Sequence, residues 1–139
     1  MHMKWSIYIL ALIFLMGSKI QSQENSFLYE NNKILPAEEV FKINVSQTGN
    51  KIVIEWDIKD KYYLYSDSIK INQNNHSVEY VLLESDKYKI EDEFFGKTEI
   101  YKNFLSVYLD NSDNLSNYVI LYQGCAEVGF CYPVQKYFL

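Results

Sequence analysis

"VFKINVSQTGNKIVIEWDI", residues 40 to 58, decides the fold class. In it Phe41, Ile43 and Val45 share one face of an extended chain, and Ile52, Ile54, Trp56 and Ile58 share one face of a second. Side chains alternate across a strand, so two such runs read as half-buried β-strands. The "QTGN" between them, with Gly49 and Asn50, suits a hairpin turn. The same period returns in "YYLYS" (62–66), "SIKIN" (68–72), "SVEYVLL" (77–83), "NFLSVYL" (103–109), "NYVILYQ" (117–123) and "CYPVQKYF" (131–138). Turn-prone "NQNNH" and "DNSDN" separate some of these runs. About eight short strands rich in Ile, Val, Tyr and Phe predict an all-β chain folded as an antiparallel β-sandwich. "PAEEVF" (36–41) admits only a short helix, starting at Pro36.

Upstream, "MHMKWSIYILALIFLMGSKIQSQ" sets Lys4 ahead of an uncharged run from Trp5 to Met16. That run is shorter than the ~20 residues a spanning helix needs, which predicts a secretory signal at residues 1–22, removed on export. No cysteine follows it to carry a lipid anchor. Residues 23–139 are then one domain, with 23–35 a loosely ordered arm. Without the signal, 11 lysines face 18 Asp and Glu, a formal charge of −7, and the chain has no arginine. The basic footprint of a nucleic-acid binder is absent, and an anionic membrane surface is a poor partner.

Only two cysteines occur, Cys125 and Cys131 in "QGCAEVGFCYP" (123–133). An exported protein can oxidise them, and a structural bridge is the plain expectation from the compartment. The spacing weakens that reading: so short a loop yields roughly 2.4 kcal/mol of chain-entropy stabilisation, against ~4.7 for a long one. Thiol exchange is the other reading, since it needs one reachable sulfur and a second close enough to resolve a mixed disulfide. Gly129 lets the loop fold back, and Pro133 removes a ladder donor just after Cys131; both also fit an ordinary hairpin turn.

"IEDEFFGKTEIY" (90–101) places acids beside Phe94, Phe95 and Gly96 where the strand pattern lapses. The phenyl rings either plug an end of the sandwich or form a lid over a reactive disulfide, with Gly96 as hinge. Asp92 and Glu93 are either solvated surface or carboxylates that tune and shuttle a thiol proton. In "DKYYLYSD" (60–67) Tyr63 and Tyr65 share a face, for packing or for walling a site. His76 sits in a polar turn, and one histidine with two cysteines is too few ligands for structural zinc. No phosphate loop, serine-nucleophile motif or dinucleotide fingerprint is present.

Taken together, "LPAEEVF", "IEWDIKDKYYLYSDSIKI", "EDEFFGKTEIY" and "YQGCAEVGFCYP" resemble the N-terminal periplasmic domain of the thiol:disulfide interchange protein DsbD. The resemblance runs over roughly residues 34 to 137. It implies an immunoglobulin-like β-sandwich whose cysteine pair cycles between dithiol and disulfide in the periplasm. It implies electrons taken from a thioredoxin-like domain and passed to disulfide isomerases and cytochrome c maturation thioredoxins, with no metal or organic cofactor. By position, Cys125 and Cys131 match the redox pair, Cys131 being favoured for the mixed disulfide. Phe94 matches the cap aromatic in a loop from about Asp92 to Gly96, and Tyr63, Tyr65, Asp92 and Glu93 match the surroundings of the site. Phe95 and Val134 stand where a tyrosine and a second proline are common in that family. The family's membrane and C-terminal thioredoxin-like domains do not follow within this sequence, which fits a stand-alone relative, a split gene product or a fragment; in the first two cases a donor on a separate protein is expected. The alternative is an exported sandwich that binds a protein or surface and carries an inert bridge.

Overall fold

The computed structural model describes residues 34–93, 95–110 and 117–139. The expected signal, the arm up to Lys33 and Phe94 lie outside the described residues. The described chain falls within one compact unit, Ile34–Leu139, in which no helix is long and apolar enough to cross a membrane.

A single helical turn, α1 (Ala37–Val40), follows Pro36 and buries Ala37 and Val40. The strands are β1 (Phe41–Thr48), β2 (Lys51–Ile58), β3 (Tyr62–Tyr65), β4 (Lys70–Gln73), β5 (His76–Val78), β6 (Val81–Asp92), β7 (Gly96–Asp110), β8 (Tyr118–Tyr122), β9 (Gly124–Ala126), β10 (Phe130–Cys131) and β11 (Gln135–Phe138). They form two antiparallel sheets. One runs β1-β2-β7-β3-β9-β10, with β6 also paired to β7; the other runs β11-β8-β4-β5.

The opening hairpin forms as its alternation demands. Phe41 pairs Ile58 and Thr48 pairs Lys51, and Gly49 closes the turn at φ +60°. Ile52, Ile54, Trp56 and Ile58 are all buried. They meet Leu64, Leu105, Val107 and Leu109 of their own sheet, and Ile71, Tyr118, Ile120 and Tyr122 of the other. Edge-to-face rings fill the middle: Phe41 against Tyr122 and Tyr132, and Trp56 against Tyr122. Such contacts use the positive ring edge against the negative face. Ile34 and Leu35, at the end of the stretch read as an arm, are half-buried against this core.

Several boundaries differ from expectation. "SVEYVLL" is two strands in different sheets, β5 and β6, because the chain crosses between layers at Glu79 and Tyr80. "CYPVQKYF" likewise splits into β10 and β11 around Pro133, which has no N–H to continue a ladder. Residues 84–92 continue β6 and β7 begins at Gly96, before the expected start at 103, so most of 90–101, where the pattern lapses, is strand. The Lys87 and Lys89 side chains of β6 lie in solvent on a mostly exposed strand, a device that blunts sheet edges.

Candidate functional site

Alternation along β3 sends Leu64 into the main core and turns Tyr63 and Tyr65 to the opposite face of the same sheet. The registers carry that face sideways: Tyr63 stands opposite Cys125, Cys125 opposite Cys131, and Tyr65 opposite Ile100. Farther along, Thr98 pairs Ile90 and Gly96 pairs Asp92. Tyr65, Ile100 and Cys125 are buried together as a second, small cluster, with Tyr63, Ile90 and Cys131 packed on it.

Cys125 and Cys131 are joined as a disulfide, their Cα atoms 4.0 Å apart. Tyr132 N–H donates to Gly124 O at 3.0 Å, so the adjoining pair is the hydrogen-bonded one and the cysteines occupy the narrower position between ladder bonds. Gly129 turns the chain between them at φ +92°, a conformation that favours glycine. The two sulfurs sit differently. Cys125 is 0% exposed, whereas Cys131, on the two-residue edge strand β10, is half-buried.

Asp92 ends β6, and its carboxylate serves two groups. Oδ1 accepts the Phe95 N–H at 2.7 Å, closing the hairpin tip; Oδ2 accepts the Tyr65 hydroxyl. The same Tyr65 oxygen lies 3.4 Å from Cys125 Sγ, a contact across which a disulfide sulfur has no hydrogen to give. Burial first, then the hydrogen bonds with Asp92 and Tyr63, push the Tyr65 pKa far above the ordinary tyrosine value. Its hydroxyl therefore stays neutral. Phe95 rests on the Tyr65 ring at 4.6 Å between centroids while 56% exposed, and Tyr63 meets Tyr65 edge-on at 5.4 Å. Gly96 sits at φ +66° where the tip re-enters β7.

Thus the structure brings Cys125, Cys131, Tyr63, Tyr65, Asp92, Phe95 and Gly96 to one face and one hairpin tip. Glu93 is exposed there and makes no hydrogen bond or ion pair among the described residues. Sequence reasoning leaves out Gly124, Gln123, Ile90 and Ile100. A Cβ on Gly124 would stand 2.3 Å from Tyr63 O and 2.6 Å from Phe41 Cζ, so β9 reaches β3 only because this residue has no side chain. A glycine inside a strand pattern is the signal for such an approach. The two isoleucines carry no signal beyond their alternation.

The comparisons with known proteins agree with this geometry. The profile of the family described as "Thiol:disulfide interchange protein DsbD, N-terminal" matches residues 31–139. A thiol:disulfide interchange protein DsbD of Vibrio cholerae is 41% identical over 111 residues, covering 78% of this chain and 18% of its own length. That of Cronobacter sakazakii is 37% identical over 127 residues, covering 90% and 22%. The chain therefore spans about a fifth of these relatives. The Neisseria meningitidis DsbD N-terminal domain, solved in the reduced form, superposes with a TM-score of 0.64 at 26% identity, over 76% of this chain and 89% of that one. A second solved structure, of the complex between the DsbD and PilB N-terminal domains of the same organism, gives 0.54 at 28% identity, over 77% and 88%. The two-sheet architecture is the immunoglobulin-like sandwich that the resemblance implies. Because the profile spans every described strand and these relatives are 37% and 41% identical over most of this chain, it belongs to the family of DsbD N-terminal domains.

Proposed function

We propose that this chain is a periplasmic thiol–disulfide exchange relay, passing electron pairs through Cys125 and Cys131 from a thioredoxin-like donor to disulfide-bearing acceptors. Disulfide isomerases and the thioredoxins of cytochrome c maturation are the acceptor class. The observation that carries the reading is the unequal exposure of two directly opposed sulfurs, one wholly covered and one half-open on an edge strand. In the reduced protein the Cys131 thiolate attacks an acceptor disulfide; a Cys131–acceptor bond forms and one acceptor thiolate leaves. Cys125 then attacks the Cys131 sulfur, its proton passing to the second leaving thiolate. The acceptor ends as a dithiol and the relay as the disulfide. A donor dithiol reverses these steps. No metal or organic cofactor enters them.

Phe94, Phe95 and Gly96 act as the cap in this reading, with Tyr63, Tyr65, Asp92 and Glu93 as its surroundings. The contact of Phe95 with Tyr65, which itself touches Cys125, supports it. The N. meningitidis domain in its reduced form, and in a complex with another protein's domain, supports a pair that opens and meets partners.

The test is reduction of the native protein by catalytic amounts of a thioredoxin-like dithiol protein, with trapping of a mixed disulfide on Cys131 in Cys125→Ser. Ready reduction without unfolding, and a trapped adduct, are expected. A disulfide that resists until the sandwich unfolds would leave an exported binding domain with an inert bridge.

A further inference from the structure

Opening the disulfide removes the one covalent tie between two very short strands, β9 and β10. The resolving step nevertheless needs Cys131 to stay opposite Cys125. Besides the short β9–β10 ladder at Phe130 and Ala126, the backbone offers the Tyr132 N–H bond to Gly124 O and the turn bond from Gly129 N–H to Ala126 O, both 3.0 Å. Beyond Tyr132 the chain meets Pro133, which donates nothing.

Gln123 supplies a further tie. Its main chain is fixed on the β3 side: Tyr65 N–H donates to Gln123 O at 3.0 Å, and Gln123 N–H donates to Ser68 Oγ at 2.9 Å. Ser68 is itself held, its hydroxyl donating to Tyr65 O at 2.7 Å. From that anchor the Gln123 side chain spans the hairpin, and Nε2 donates to Tyr132 O at 3.0 Å. It therefore joins the residue two before Cys125 to the residue just after Cys131, by a bond indifferent to the oxidation state of the sulfurs. Tyr132 is a firm receiver. Its ring is buried against Phe41, and its hydroxyl donates to Leu35 O at 2.5 Å.

We infer that Gln123 is a positioning residue for thiol–disulfide exchange, a side-chain clamp that holds Cys131 in register with Cys125 while the pair is reduced. The inference rests on the relay reading. Its consequence follows from proximity: a held thiol attacks its neighbour at high effective concentration, and a loosened one does not. Without the clamp the dithiol can relax out of register, whereas the disulfide must hold β10 there with the bond missing, so losing the clamp costs the disulfide state more than the dithiol state.

The experiment compares the full chain with Gln123→Met, which keeps length and removes the donor. Equilibration with reduced and oxidised glutathione gives the effective concentration of the dithiol. Decay of a mixed disulfide formed on Cys131 gives the resolving rate. Both should fall roughly three- to tenfold, the worth of one neutral hydrogen bond, and the melting temperature of the oxidised protein should fall more than that of the reduced protein. Gln123→Lys, which returns an N–H donor of similar reach, should recover both, and Gln123→Glu, which offers only acceptors, should not. That pair carries the same comparison if the Met variant does not fold. Unchanged equilibrium and decay in Gln123→Met, or equal losses of melting temperature in oxidised and reduced protein, would overturn the clamp. A wild-type disulfide that does not exchange with glutathione in the native fold would overturn the relay reading, a separate outcome.

Discussion

Strand β3 borders two apolar clusters that differ in kind. Leu64 belongs to a core built from both sheets, filled by aliphatic and aromatic groups and closed by a second layer. Tyr65, one residue on, belongs to a cluster on the other face that, among the described residues, no second sheet covers. There the roof is a hairpin tip tied down through one carboxylate and an exposed ring. A layer excludes solvent through many contacts that must break together, whereas a tip held by a few polar contacts opens locally at small cost. The same alternation thus gives one residue to stability and the next to access.

That contrast is open to test in order of expected size. Trp56→Ala should strike the inner cluster alone and cost about 3–5 kcal/mol in denaturant titrations, with reduction of the still-folded protein by a small thiol unaltered. A changed reduction rate would mean that the clusters are coupled. Gly124→Ala should strike both, because its Cβ meets backbone at Tyr63 O as well as Phe41 of the core. Overpacking of this kind costs about 1–3 kcal/mol, and nuclear magnetic resonance shifts should move on both faces of β3.

Tyr65→Phe should touch the outer cluster only. The lost hydroxyl bond is worth about 1 kcal/mol, since half-buried Asp92 regains water, and the disulfide should be reduced faster by a small thiol. An unchanged rate would remove Tyr65 from the cover. A further effect is alkaline. Burial raises Tyr122 and Tyr132 from 10.0 to about 12, which means that the folded state holds their protons more tightly than the unfolded one. Their contribution is full below pH 10 and drains away as pH rises from there through about 12. Denaturation at stepped pH should show a plateau and then a fall, and Tyr122→Phe should shallow the fall.

The inner cluster is the more legible of the two in sequence. Ile52, Ile54, Trp56 and Ile58 alternate without interruption, so their common face is plain. Parity also puts Tyr63 and Tyr65 on one side, but it does not say which side receives the second sheet. The crossing at Glu79 and Tyr80 is hidden because apolar residues alternate through it. The unequal standing of the cysteines is hidden too: Cys125 is covered by Tyr65 and Ile100, distant in sequence, and spacing within 125–131 carries no trace of them. The strand pattern lapses within 90–101 because the exposed edge strand β6 carries charges for solubility, which erases its period.

The polarity of the short chain from Cys125 through Tyr65 to Asp92 has one more consequence. The Tyr65 hydroxyl hydrogen points toward the carboxylate, so its oxygen presents only a lone pair to the sulfur. When the cysteines are reduced, Cys125 is the partner with a hydrogen to offer, and keeping it satisfies that lone pair. In the proposed relay that leaves Cys131, half-buried at the protein's rim, as the sulfur a partner reaches. In that relay the buried tyrosine thus divides labour between two chemically identical atoms, with Cys125 as the proton holder and Cys131 as the nucleophile.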